Sequence, residues 1–205
     1  MQLTVNILGV PTTLLEVIAM VLGIVYVVLE YRANRWFWVF GVLMSSVYVY
    51  FFLERRLYAN MMLNVYFVLA SVYGLWMWVS KKDQSSESDT DGICSMPRKQ
   101  VFPAVLATAL LTVVMALALR WVEGEGGAIV WLDGLTSSIS IVIMWMLAKK
   151  YYQSWIGWLV VEPIYVVLMF RTALYPAALM YVCYIVIAVM GLVRWRRVAK
   201  NRQND

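Results

Sequence analysis

Seven apolar runs separated by polar connectors occupy most of this 205-residue chain. They lie at 12–31, 34–53, 58–79, 101–120, 129–148, 155–171 and 175–194. A helix needs about 20 predominantly apolar residues to cross the hydrocarbon of a bilayer, so each run is long enough for one crossing. In lipid the backbone must satisfy its own hydrogen bonds, which a helix does within one segment. The pattern therefore predicts an all-α membrane protein of seven transmembrane helices in a single membrane domain, residues 1–205. Four connectors are short: Glu30 to Arg35, Glu54 to Arg56, Lys149 to Ser154 and Arg171 to Thr172. One is long. Residues 81–99 include Asp83, Ser85, Ser86, Glu87, Ser88, Asp89, Thr90 and Asp91. Such a composition cannot bury enough apolar surface to order itself, and it reads as a flexible linker. The N-terminus lacks the basic region and cleavage site of a signal peptide and is expected to lead straight into the first span.

A repeat lies within the pattern. At one gapless offset, 117 residues, Glu16 falls on Asp133, Trp38 on Trp155, Tyr48 on Tyr165, Tyr58 on Tyr175, Gly74 on Gly191 and Trp78 on Trp195. Repeat one is 12–79, repeat two is 129–195, and 101–120 is a linking helix that returns the second triplet to the orientation of the first. This 3+1+3 arrangement of parallel repeats is the SWEET-like plan, which places a small-molecule site near the midplane between the halves.

Charge gives the plan a direction. The 17 Lys and Arg residues divide unequally between the two sides. The connectors 1–2, 3–4 and 5–6 with the C-terminal tail hold 13, and the other side holds 4. Cytoplasmic loops carry the basic excess, so the N-terminus is expected outside and the C-terminus in the cytoplasm. The net charge of +5 resides in these end clusters and is no sign of nucleic-acid binding. Hydrophobic residues make up 63% of the chain and charged ones 14%, against about half and about a quarter in soluble domains. The absence of histidine removes the commonest metal ligand and near-neutral proton relay. There is no Gly-rich run ending in Gly-Lys-Ser/Thr and no metal-ligand cluster, so neither an enzyme nor a cofactor-dependent protein is expected.

An ionisable residue inside a span costs about 3 kcal/mol or more and marks a candidate site. Glu162 lies near the middle of span six, with Trp158 four residues and Trp155 seven residues before it. That spacing puts the three on one helix face. Two indoles can stack on a flat cation, and a carboxylate can neutralise it or accept its hydrogen bonds. Pro163 removes a backbone hydrogen bond next to Glu162 and can kink the helix. Asn60 and Asn64 are one turn apart on span three, and Asn64, the more central, is a candidate ligand contact. Tyr48 and Tyr165, mates across the repeat, complete the candidate substrate-binding set. Asp133 and Glu16 open their spans and are expected to act as N-terminal caps. Ser137, Ser138 and Ser140 form a small-residue patch for close helix approach.

The stretch Asp133 to Trp195 resembles the second half of the PnuC-type vitamin transporters of bacteria. That family carries a Trp-x-x-Trp-x-x-x-Asn signature on span six, and here the run is Trp155-Ile-Gly-Trp158-Leu-Val-Val-Glu162. Glu16, Gly23, Gly41, Leu57-Tyr58-Ala59 and Gly74 match in the first half. The resemblance implies homotrimers in the inner membrane and facilitated diffusion of a vitamin, trapped afterwards by phosphorylation. It also implies ligand contacts at both Trp positions. A family Gln falls on Asn64, a family Asn on Met44, and the signature Asn is Glu162. Among nicotinamide riboside, thiamin and riboflavin, the loss of amide contacts and gain of a carboxylate point to thiamin, as in the thiamin-transporting PnuT branch. Nicotinamide riboside, also cationic, is the alternative. A ligand sensor that moves nothing is the alternative of another class.

The charge asymmetry is testable with fusions in bacterial cells. Alkaline phosphatase inserted at Gly127 should be active, and the same reporter after Asp205 inactive. The opposite pattern would reverse the orientation.

Overall fold

The computed structural model describes residues 4–7, 10–54, 58–80, 92–123, 127–171 and 175–204. Seven helices follow in order: α1 Leu14–Tyr31, α2 Trp36–Glu54, α3 Tyr58–Ser80, α4 Arg98–Glu123, α5 Ala128–Ala148, α6 Ser154–Arg171 and α7 Tyr175–Asn204. They coincide with the seven apolar runs. Five are long and apolar enough to span a bilayer within the described residues, and α1 and α2 contribute the apolar stretches Val21–Tyr31 and Trp36–Tyr50. The helix α7 runs about three turns beyond the expected end, as Arg196, Arg197 and Lys200 carry it into water.

Two features depart from the sequence expectation. The chain does not enter α1 directly. A hairpin of β1 (Thr4–Ile7) and β2 (Val10–Thr13) precedes it, antiparallel with Thr4 opposite Thr13 and Ile7 opposite Val10. The expected linker is also ordered over its last part. Residues 81–91 lie outside the described residues, but 92–97 are pinned to the α5–α6 turn. Gly92 takes a left-handed φ of 89°. Cys94 N–H donates to Lys150 O at 3.1 Å, Tyr152 N–H to Cys94 O at 3.2 Å, and Met96 N–H to Gln153 Oε1 at 3.0 Å. Ile93 is buried against the bundle. These are tertiary contacts, to which local composition is blind.

The packing order is a closed ring: α1 on α2, α2 on α3, α3 on α5, α5 on α6, α6 on α7, and α7 back on α1. The helix α4 stands outside the ring against α5, with a lesser contact to α3, and exposes Val105, Leu110, Val114 and Leu117. Under the 117-residue offset the α3–α5 seam maps onto the α7–α1 seam, as a two-fold repeat requires. The buried serines let α5 serve as a hub. Ser138 Oγ donates to Gly134 O at 2.6 Å and Ser140 Oγ to Thr136 O at 2.9 Å, so their polar groups are satisfied within α5. An atom replacing the Gly134 hydrogen would meet the α4 backbone at 3.0 Å.

The repeat holds at the level of single hydrogen bonds. α1 ends with Ala33 at φ 56°, and α5 ends with Lys150 at φ 56°. Ala33 N–H donates to Glu30 O and Asn34 N–H to Leu29 O, each at 2.9 Å. Lys150 N–H donates to Leu147 O at 2.9 Å and Tyr151 N–H to Met146 O at 3.0 Å. Both are Schellman ends, which satisfy the last carbonyls of a helix. Each returns the chain so that the first turn of the next helix carries a buried tryptophan, Trp38 in α2 and Trp155 in α6. The Trp38 ring then sits on Gly74 and meets Trp78 edge-to-face at 5.7 Å. The Trp155 ring sits on Gly191 and meets Trp195 edge-to-face at 5.7 Å. Trp78 Nε1 donates to Ala148 O at 3.2 Å, and Trp195 Nε1 to Tyr31 O at 3.1 Å, so each repeat's third helix caps the other repeat's first. The four indoles, with Phe37, Met77, Leu147 and Ile93, form one core at the end of the ring that carries the basic loops.

A methyl group at Gly191 would lie 2.6 Å from the Trp155 ring. Gly191→Ala should therefore cost about 1–3 kcal/mol by overpacking, read as a lowered melting temperature of the detergent-solubilised protein. Gly127, with open space around it, should tolerate the same change. Equal melting temperatures for both variants would remove the wedge.

Candidate functional site

Above the indole floor, the interior of the ring is lined by acids and phenols. Glu162, on α6, is buried, and its Oε2 has no hydrogen-bond partner. Trp158, one turn earlier, is half-buried, and its Nε1 donates to Glu30 Oε1 at 2.8 Å. Glu30 comes from the last turn of α1 and is only 2% exposed. This hydrogen bond joins the two repeats across the α1–α6 gap. Glu30 lies within electrostatic reach of Glu162.

Tyrosines close the ring around the carboxylates. Tyr165 stacks on Tyr181 of α7, centroids 5.1 Å apart and planes 16° apart. Tyr181 meets Tyr184 edge-to-face at 5.8 Å. Tyr165, Tyr181 and Tyr184 all lie within electrostatic reach of Glu162, and Tyr48 of α2 lies within reach of Tyr181 and Tyr184. Tyr26 of α1 neighbours Glu30 and Tyr184. Gly23 lets the Tyr184 hydroxyl approach the α1 backbone, where a Cβ would collide with it. α6 remains helical through Pro163.

The structure brings together Trp158, Glu162, Tyr165 and Tyr48 of the candidate set. Asn64 is half-buried on α3 at the repeat position of Tyr181, so the two-fold points it to the matching place in the other half. Trp155 lies elsewhere. It shares the α6 face with Glu162 but sits lower, 1% exposed, wedged between Gly191 and Trp195. In this structure it belongs to the floor, because a shared helix face does not set depth. Asp133 does not cap α5: the helix starts at Ala128 after Gly127, and its first turn holds no acidic residue. Asp133 is the sixth residue of α5, beyond the first turn whose free N–H groups a cap would serve. The side chains of Glu16 and Asn60 lie outside the described residues.

In the sequence, Glu30 stands at the start of the polar connector Glu30 to Arg35 and not among the candidate site residues. A signal was available. Helix C-termini disfavour negative charge, so an acid in the last turn of an apolar helix needs a compensating contact. Among the described residues, no group of three His, Cys, Asp or Glu side chains could hold a metal ion.

The arrangement can receive a flat ring on Trp158 and a positive charge at the carboxylates. Known proteins share the frame. The family model described as nicotinamide mononucleotide transporter matches residues 13–197. The nicotinamide riboside transporter PnuC of Neisseria mucosa is 29% identical over 203 residues, covering 95% of this chain and 76% of its own. That of Escherichia coli is 25% identical over 185 residues, covering 80% and 77%. A crystal structure of the vitamin B3 transporter PnuC superposes with a TM-score of 0.70 at 27% identity, covering 90% of this chain and 81% of that one.

Removing one partner of a buried hydrogen bond costs about 1–3 kcal/mol, whereas removing both can be nearly neutral. Trp158→Phe should therefore lower the melting temperature, and Glu30→Leu added to it should restore part of the loss. A double variant as unstable as the sum of the single ones would mean that the pair carries no coupling.

Proposed function

Because this chain belongs to the nicotinamide mononucleotide transporter family, we propose that it carries nicotinamide riboside, a flat cationic pyridine riboside, across the bacterial inner membrane. The observation that carries this reading is the buried carboxyl of Glu162 one turn along α6 from the half-buried Trp158 ring. Relatives named for the riboside support this substrate over the thiamin expected from the sequence. The buried acid also favours a riboside over a nucleotide, because a phosphate beside the Glu162 carboxylate would be repelled.

The process is facilitated diffusion. Nothing in the sequence matches a phosphate-binding loop for ATP, and two parallel repeats around a central site suit alternating access. The indole floor seals the basic end, so a ligand reaches Glu162 from the opposite end. With the basic end in the cytoplasm, as the Lys and Arg distribution supports, that entry is external. Trp158 provides the stacking face, Glu162 and Tyr165 the polar contacts, with Tyr48 and Asn64 on the facing wall. Trp155 supports Trp158 from below. A homotrimer fits this reading, with α4 and the outer helix faces free for lipid or for other copies.

One observation favours a second substrate. Glu162 stands where the family signature has Asn, and a carboxyl group can pair with the ring nitrogen and amino group of an aminopyrimidine. Thiamin supplies that group together with a cationic thiazolium.

Calorimetric titration of the purified protein with nicotinamide riboside, thiamin and riboflavin separates these readings. Nicotinamide riboside should bind at micromolar concentration, and Glu162→Ala should weaken it about tenfold or more, the scale of a charge-assisted hydrogen bond. Uptake of labelled riboside into proteoliposomes should follow its own gradient. Binding by thiamin alone would move the substrate to the second reading, and binding without flux would make the protein a sensor.

A further inference from the structure

The proposed function accounts for Glu162 and leaves Glu30 without a reason to be a carboxylate. Burying an ionisable acid costs several kcal/mol unless something compensates, and the C-terminal turn of α1 is unfavourable to negative charge. The Trp158 indole does not require an acid as acceptor. Trp78 and Trp195 satisfy theirs with the backbone carbonyls of Ala148 and Tyr31. One oxygen of Glu30 takes the indole N–H, and Glu162 Oε2 is buried with no partner. Among the described residues, the titratable groups facing this pair are Tyr26 on α1, Tyr48 on α2, Tyr165 on α6, and Tyr181 and Tyr184 on α7, with Asp133 of α5 beyond Tyr165. All are acids or phenols, so none of them supplies the positive charge that would balance two carboxylates, and a cationic guest would supply it.

We propose that Glu30 is a specificity-determining residue of the ligand site, forming with Glu162 a two-carboxylate receptor, one acid from each repeat, for the fixed positive charge of the vitamin. Trp158, one turn before Glu162 on α6, links the two: its N–H holds Glu30 in place, and its ring is the stacking face of the proposed site. The receptor therefore discriminates by charge more than by shape, and it rejects uncharged rings of the same outline. This rests on the vitamin-transporter reading and adds Glu30 to its site.

The test uses the full-length protein and two probes of nearly equal size: nicotinamide riboside and its uncharged, ring-reduced dihydropyridine form. If thiamin proves to be the vitamin that binds, thiamin and its ring-reduced form take their place. Wild type should bind the cation at least about tenfold more tightly than the neutral form. Glu30→Gln keeps a carbonyl acceptor for Trp158 and removes the charge. It should lose about tenfold for the cation and bind the neutral form unchanged. Glu30→Asp keeps the charge, and should retain the preference for the cation even if both affinities fall. An equal loss for both probes in the Gln variant, or undiminished cation binding, would overturn the proposal and leave Glu30 a structural acceptor. Loss of the preference in the Asp variant would also overturn it. Wild type that binds neither vitamin would instead overturn the transporter reading beneath it.

Discussion

Two tryptophan rings seated on two glycines fix the geometry of this bundle. Trp38 on Gly74 and Trp155 on Gly191 are flat plates against bare backbone, a contact that brings α2 close to α3 and α6 close to α7. Each plate can reach its glycine only because the preceding turn, at Ala33 or Lys150, bends through a left-handed residue. A non-glycine residue there costs roughly 1–2 kcal/mol, offset by the paired hydrogen bonds that close the helix end. The floor of the bundle, the height of Glu162 above it, and the packed core at the basic end all depend on those plates.

Of the hydrogen bonds that join the two halves, which include Tyr66 Oη donating to Ile141 O at 2.9 Å, two sets bear on the candidate site. One is symmetric: Trp78 reaches Ala148 and Trp195 reaches Tyr31, each an indole N–H on the last carbonyl of the opposite repeat's first helix. The other has no mate. Glu30 and Trp158 are bonded across the interior, but their repeat positions are Leu147 and Gly41, which cannot form the same bond. The acid–indole pair of the candidate site thus lies where the symmetry fails.

Much of this was legible in the order of residues. Apolar runs predicted seven helices because lipid imposes a length on each, and the 117-residue offset predicted a two-fold because Trp, Tyr and Gly recur at packing positions. Tertiary facts were less legible. The β1–β2 hairpin is too short for its alternation to stand out from an apolar lead-in. The ordered stretch 92–97 owes its shape to Lys150 and Gln153, more than fifty residues away. Trp155, Trp158 and Glu162 share a face by periodicity, yet periodicity says nothing of which ring meets a glycine and which meets the cavity. Glu30 was hidden among the charges of a loop, since only the folded ring brings it opposite Trp158.

The substitution of Gly41 and Ser45 at the positions of Trp158 and Glu162 has a consequence for how a guest would lie. A cavity with true two-fold symmetry offers a planar molecule two equivalent poses, related by a half-turn. Here one wall carries an indole and a carboxylate, while its counterpart carries a hydrogen and a hydroxyl, and at Gly41 the Ser71 side chain leaves no room even for a methyl group. The degeneracy is removed, and a planar guest of the proposed kind would have a single heading.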